Sequence, residues 1–174
     1  MTNLRSLIQK TADRFREAGI ASFQSDAELL IAFDLGISRG ELAAQSFLGT
    51  DVTPSPDLES MIERRASREP LQHITKEAYF RSLVLEVGPG VFVPRPETEA
   101  VVQIGLDFLS GKPGAKVLDI GTGSGAISIA IALESDSRVT AVEKSPDATG
   151  FAARNIERCG ALVELKTGDF RELD

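Results

Sequence analysis

Residues 117–125, Val-Leu-Asp-Ile-Gly-Thr-Gly-Ser-Gly, decide how the carboxy-terminal half of this chain is read. An apolar run stops in glycines separated by single residues, and the apolar segment 126–133 follows at once. That order predicts a strand handing over to a helix through a loop that lies against a ligand. Gly121, Gly123 and Gly125 have no β-carbon, so the backbone there can turn sharply and approach a bound molecule. A second apolar strand, 138–142, ends in Glu143, at the spacing where an acidic residue accepts hydrogen bonds from ribose hydroxyls. Together they read as a nucleoside-cofactor site. A ligand-free tight turn and a solvated strand end are the plainer alternatives.

Working outward, strand 116–120, helix 126–133, strand 138–142, helix 146–158 and strand 162–166 alternate, which predicts a parallel α/β sheet. Asp169-Phe170 follows the third strand, where a carboxylate and an aromatic ring flank an adenine or simply form a surface turn. Upstream, an apolar helix spans 100–109, entered through Pro94-Arg95-Pro96-Glu97-Thr98-Glu99. Pro96 suits a first helical turn and the two acids suit its positive end, an account that leaves Arg95 unexplained. Residues 79–87 are rich in strand formers, Gly88-Pro89-Gly90 reads as a turn, and 91–93 is extended again, predicting a β-hairpin.

The first seventy residues look helical. Leu4, Leu7, Ile8, Ala12 and Phe15 recur at helical spacing, with Gly19 as the stop. Ser25-Asp26-Ala27-Glu28 reads as a capping box opening a helix over 27–35, and Ser38-Arg39-Gly40-Glu41 repeats it. A fourth helix over 58–67 carries Glu63, Arg64 and Arg65 on its exposed face, completing a small bundle.

Which cofactor the loop takes depends on Asp119. A dinucleotide fold places pyrophosphate at the helix amino terminus, usually on G-x-G-x-x-G, whereas here the glycines alternate. A carboxylate beside the loop repels a pyrophosphate and suits an amino acid's ammonium group. S-adenosylmethionine carries that group with a ribose and a sulfonium, so it is the preferred reading and NAD the minority one. Asp119 also suits a capping role that ties the loop together through backbone amides, and the two roles are compatible.

The bulk numbers agree with an ordinary globular protein of one sizeable domain or two small ones. The chain has 174 residues, 42% hydrophobic and 26% charged. A net charge of −7 argues against a domain that holds nucleic acid chiefly through phosphates. The single cysteine, Cys159, cannot form an internal disulfide and reads as a packing residue; no Cys/His cluster suggests a metal. His73, the one histidine, has no nucleophile partner and reads as a surface or packing residue. Apolar runs are too short for a membrane span and no signal-peptide core precedes them, so a cytoplasmic location is expected.

Phe92-Val93-Pro94-Arg95-Pro96-Glu97-Thr98-Glu99, then residues 117–125, then Ala141-Val142-Glu143, resemble the release factor glutamine methyltransferases, the PrmC/HemK family. Arg68-Glu69-Pro70-Leu71-Gln72-His73-Ile74 and the aromatic pair Tyr79-Phe80 fit the same family. The resemblance covers about residue 60 to the end. It implies a helical substrate-recognition domain over 1–72, a β-hairpin linker over 73–93, and a Rossmann-like class I methyltransferase domain over 94–174. Only the first three sheet strands of that last domain would be present. It further implies S-adenosylmethionine as cofactor, no metal, and a class 1 peptide release factor as partner, gripped by the helical domain. The glutamine amide of its Gly-Gly-Gln tripeptide would displace the sulfonium methyl directly, leaving S-adenosylhomocysteine.

By matching position, the loop of Asp119, Gly121, Thr122, Gly123, Ser124 and Gly125 would embrace the methionine part of the cofactor. Glu143 would take the ribose hydroxyls, and Asp169 and Phe170 would lie near adenine. Pro94, Arg95, Pro96, Glu97 and Thr98 would close around the reactive end. Two departures stand out. The family commonly has aspartate where Glu143 stands, and the Asn-Pro-Pro-Tyr motif that orients the glutamine amide does not occur in this sequence. No catalytic residue is therefore assigned, and the chain is expected to be inactive alone, with one wall of its pocket and a sheet edge exposed. Methylation of a nucleic-acid amino group and a non-catalytic cofactor-binding or interaction fragment remain the alternatives.

Overall fold

The computed structural model describes residues 1–172; Leu173 and Asp174, the end of the expected 94–174 domain, lie outside the described residues. The chain divides into two compact units, Met1–Thr75 and Lys76–Asp174.

The first unit runs β1 (Thr2–Asn3), α1 (Leu4–Glu17), α2 (Phe23–Leu35), α3 (Arg39–Phe47), β2 (Asp51–Val52), α4 (Leu58–Ala66) and α5 (Leu71–Thr75). Asn3 caps α1 by accepting the Ser6 N–H at 3.2 Å. Leu4, Ile8, Ala12 and Phe15 then share one face and bury against Ala27, Leu30 and Ile31 of α2, Leu42 of α3 and Ile62 of α4. The capping box at Ser38 forms as expected, with Glu41 returning a bond to the Ser38 N–H at 2.8 Å. The one expected at Ser25 does not, because α2 already begins at Phe23 and Ser25 lies inside its first turn. Asp26 is instead turned into the bundle, where Arg65 Nε donates to it at 2.8 Å. Arg65, expected on the open face of α4, therefore points inward, and its second nitrogen reaches the Glu69 carbonyl at 2.9 Å.

The second unit runs β3 (Glu77–Phe80), β4 (Leu83–Glu86), α6 (Thr98–Leu109), β5 (Lys116–Ile120), α7 (Ala126–Glu134), β6 (Arg138–Glu143), α8 (Pro146–Cys159) and β7 (Val163–Thr167), then one 3-10 turn, Phe170–Glu172. The three long strands pair in parallel in the order β5-β6-β7, Asp119 opposite Ala141 and Ala141 opposite Leu165. Helix α8 follows its sequence signals: Ser145 caps it, Pro146 opens it, and Gly160 in the left-handed conformation ends it.

The hairpin differs from expectation. Its turn is Arg81-Ser82, with Phe80 opposite Leu83, and residues 91–93 form no strand. Arg81 takes φ +52, unusual for a residue with a side chain. Distant partners hold it there: Glu99 accepts its N–H at 2.9 Å, and Glu134 grips its guanidinium at 2.6 and 2.7 Å. Phe80, Leu83 and Leu85 bury among Val102, Ile129, Ala130 and Ile131, so the hairpin is part of this unit's core. Glu77 and Glu86 face each other across it, a repulsive pairing. Arg158 and Arg154, one turn apart on α8, offset that with bonds of 3.0 Å to each.

Beyond the hairpin the chain runs along α8. Val87 and Val91 pack with Ala148 and Phe151, and a β-carbon on Gly88 would sit 3.1 Å from the Phe151 ring. Helix α6 starts two residues before the expected position 100; Pro96 precedes it in a turn closed by Thr98 N–H to Arg95 carbonyl at 3.0 Å. Strand β5 borders the described sheet, with Leu118 and Ile120 about half exposed.

Candidate functional site

Parallel α/β sheets bind ligands where their strands end, because the following loops leave a crevice there. A cleft of about 340 Å³ occupies that place, lined by Ile120 and Gly121 after β5, Val142, Glu143 and Lys144 after β6, and residues 168–171 after β7. Of the residues singled out from sequence, it gathers Gly121, Glu143, Asp169 and Phe170. Asp119, Thr122, Gly123, Ser124 and Gly125 shape the loop behind Gly121 without lining the cleft, and residues 94–98 do not line it either.

Four of the loop's amides are already engaged. Gly121 and Thr122 both donate to the Val142 carbonyl, at 2.8 and 3.1 Å, and Gly125 donates to the Thr122 carbonyl at 2.9 Å. The Gly123 N–H donates to Glu143 Oε2 at 2.9 Å. Below them, the Thr122 hydroxyl donates to Asp119 at 2.6 Å and meets the buried Ser128 hydroxyl at 2.9 Å. A hydroxyl carries one proton; that of Thr122 goes to Asp119, while the Ser128 hydroxyl also lies 3.0 Å from the Gly125 carbonyl, to which it donates. Asp119 thus ties the loop through the Thr122 hydroxyl, and not through the backbone amides expected of it from sequence. Gly125 (φ +84) joins this loop to α7, and a β-carbon there would meet Ile129 Cδ1 at 3.0 Å.

Glu143 is the hub of the cleft. Besides Gly123, its Oε1 accepts the Lys144 and Ser145 N–H groups, both at 2.9 Å. One side chain therefore binds the loop after β5 to the loop after β6. Asp169 is equally engaged, by Lys144 Nζ at 3.2 Å and by the Arg171 N–H and Nε at 3.1 and 2.9 Å, with the other guanidinium nitrogen also on it. The Arg171 bonds, with Lys144 behind them, hold the Asp169 carboxyl well below the usual carboxylate range. Because its folded value lies below the unfolded one, the charge persists throughout the neutral and mildly acidic range. It is lost only as acid titrates the folded group. Phe170 offers a half-exposed ring beside it.

Lys144 and Arg171 were not foreseen. They set two positive charges beside Glu143 and Asp169, so the lining is balanced rather than anionic. Their signal was faint: each lies within two positions of a predicted acid, where only folding shows which way a side chain turns. Charge alone therefore does not reject a diphosphate here; what counts against one is that the Gly121, Thr122, Gly123 and Gly125 amides are engaged within the protein. Pyrophosphate sites rely on amides free to point at the ligand.

Arg95 is exposed, and among the described residues no hydrogen bond joins residues 94–98 to the glycine loop. His73 lies half-buried in α5. Cys159 packs against the second unit's core, and burial pushes its thiol up. Among the described residues no His/Cys/Asp/Glu group could hold a metal, and no helix is long and apolar enough to cross a membrane.

The family model of protein-L-isoaspartate(D-aspartate) O-methyltransferases matches residues 60–172, and the α/β unit with its glycine loop is a Rossmann-like methyltransferase domain. The model of the PrmC N-terminal domain matches residues 6–75. Release factor glutamine methyltransferases of Streptomyces coelicolor and Bifidobacterium longum are 43% and 42% identical over 100% and 88% of this chain. The chain belongs to the release factor glutamine methyltransferase family. It spans 62% and 54% of the length of those two relatives. Among solved structures, Pyrococcus abyssi tRNA (uracil-54, C5)-methyltransferase with S-adenosyl-L-homocysteine is similar at 19% identity and TM-score 0.48, over 56% of this chain and 24% of that one. Pyrococcus horikoshii TYW2 with MeSAdo is similar at 20% and 0.49, over 56% and 37%.

Proposed function

We propose that this chain binds S-adenosylmethionine in the cleft after β5–β7 and serves methylation of the glutamine amide in the Gly-Gly-Gln tripeptide of class 1 release factors. The observation that carries the cofactor reading is the bridge from Glu143 to the Gly123 amide, which withdraws that amide from a phosphate. When bound, the cofactor supplies an electrophilic methyl group on a positively charged sulfur.

Gly121 and its loop would flank the methionine part, and Phe170 would offer its ring to the adenine. Glu143 Oε1 already accepts two N–H groups and Oε2 one, so the carboxylate keeps one place for a ribose hydroxyl. All four places on Asp169 are taken by Lys144 and Arg171, so its part is to fix the turn that carries Phe170. Residues 94–98 would close over the reactive end. The match of residues 6–75 to the PrmC N-terminal domain supports assigning release-factor contact to the helical unit.

On this reading the 174 residues hold the cofactor without transferring its methyl group, since the sequence contains no Asn-Pro-Pro-Tyr to align an amide. Incubation with a release factor and S-adenosylmethionine labelled in the methyl group tests this. The expected result is cofactor retained on the chain and no label on the Gly-Gly-Gln glutamine. Label on that glutamine refutes the inactivity. Label on added DNA, RNA or isoaspartyl peptide refutes the substrate.

A further inference from the structure

Asn155 lies on α8, far in sequence from the glycine loop, yet it is completely buried and joins that loop to the hairpin. Its Oδ1 accepts the Glu86 N–H at 2.7 Å. Its amide nitrogen donates twice at 2.9 Å, to the Glu86 carbonyl and to the Ser124 carbonyl. Both N–H groups of the side chain are therefore used, each on a backbone carbonyl of a different segment. Glu86 ends β4, and Ser124 is the loop residue before Gly125.

The surroundings show why this matters. From Glu86 onward the chain follows one face of α8, with Gly88 against Phe151 and the Gly90 position against Asp147. That stretch then leads into residues 94–98. On this track the Asn155 side chain bonds the loop directly, and no apolar residue there could satisfy the three backbone groups it serves. Aspartate could accept from Glu86 but would set carboxylate oxygen against two carbonyls.

We infer that Asn155 is a positioning residue: it makes the cofactor loop and the strand leading to residues 94–98 one rigid piece, fixing the loop for its ligand. This rests on the cofactor reading above only for the binding part, and the loop part stands on the three hydrogen bonds.

Amide hydrogen exchange and calorimetry on the full chain test it. In the wild-type chain, the Asn155 side-chain amide protons should exchange as slowly as the β6 backbone amides; fast exchange with solvent overturns the inference without any variant. In Asn155→Leu and Asn155→Asp, the amides of residues 121–125 should exchange at least about tenfold faster than in Val139→Ala, a core substitution remote from the loop, compared at equal distance below each melting point. Arg154→Ala, which releases the Glu86 side chain and uncovers the Phe151 ring without touching the three Asn155 bonds, should leave the loop as in wild type. Loop exchange that merely follows overall stability in every variant overturns the inference. S-adenosylmethionine should bind the Asn155 variants at least about tenfold more weakly than wild type. If the wild-type chain itself takes up no cofactor, the cofactor reading fails while loop exchange still decides the role of Asn155.

Discussion

Gly125→Ala should destabilise the carboxy-terminal unit by about 2–5 kcal/mol, the overpacking part of which Gly121→Ala should not reproduce. The φ of +84 at Gly125 alone costs a residue with a β-carbon about 1–2 kcal/mol. Gly121, at φ +75, bears the same conformational cost, but nothing lies within 4 Å of a β-carbon built there. At Gly125 the new carbon would stand 3.0 Å from Ile129 Cδ1 and 3.6 Å from the Ala152 backbone. Ile129 is fully buried and cannot swing away, so overpacking adds about 1–3 kcal/mol. Urea unfolding, followed through β6 amide signals so that the helical unit does not contribute, measures the loss. Equal losses for the two variants would show that the junction of α7 and α8 is not close-packed.

In the helical unit, Arg65→Ala should cost about 3–5 kcal/mol, because it leaves a buried carboxylate without its partner. Asp26 is 7% exposed and Arg65 reaches it across the bundle at 2.8 Å. The exposed pair Arg39–Glu28 is the comparison: Arg39→Ala should cost no more than about 1 kcal/mol. Replacing both buried partners, as Asp26→Leu with Arg65→Met, should recover much of the Arg65→Ala loss, since two apolar groups need no ion pairing. Denaturant melts of the helical unit, followed by α1 amide signals, separate these cases. A loss below about 1 kcal/mol for Arg65→Ala would mean that water reaches Asp26.

Both residues had been read otherwise from sequence, and the reason is general. Local pattern told where helices run and which faces are apolar: Leu4, Ile8, Ala12 and Phe15 lie where their spacing puts them. The same holds for the alternating strands and helices after residue 116, whose period and caps are local properties. What pattern could not show were bonds across long sequence gaps. Asp26 reads from sequence as one member of a capping box begun by Ser25, because its partner is thirty-nine positions away. The hairpin turn was placed at Gly88-Pro89-Gly90 because glycine and proline favour turns. Arg81 takes the left-handed turn instead, because Glu99 and Glu134 hold it there.

The cleft repeats that lesson. Its position followed from the glycine loop and Glu143, and Gly121, Glu143, Asp169 and Phe170 do meet there. Its charge did not, since Lys144 and Arg171 fold onto Asp169. Nor did the inward use of Glu143, whose extra methylene lets it reach back to Gly123 as well as to its own loop.

Isothermal titration of the 174-residue chain with S-adenosylmethionine and, separately, with NAD tests the central reading most directly. With the amides of Gly121, Thr122 and Gly123 engaged by Val142 and Glu143, the sulfonium nucleoside should bind saturably and NAD should give no heat of binding. Saturable binding of NAD, with none of S-adenosylmethionine, would contradict it.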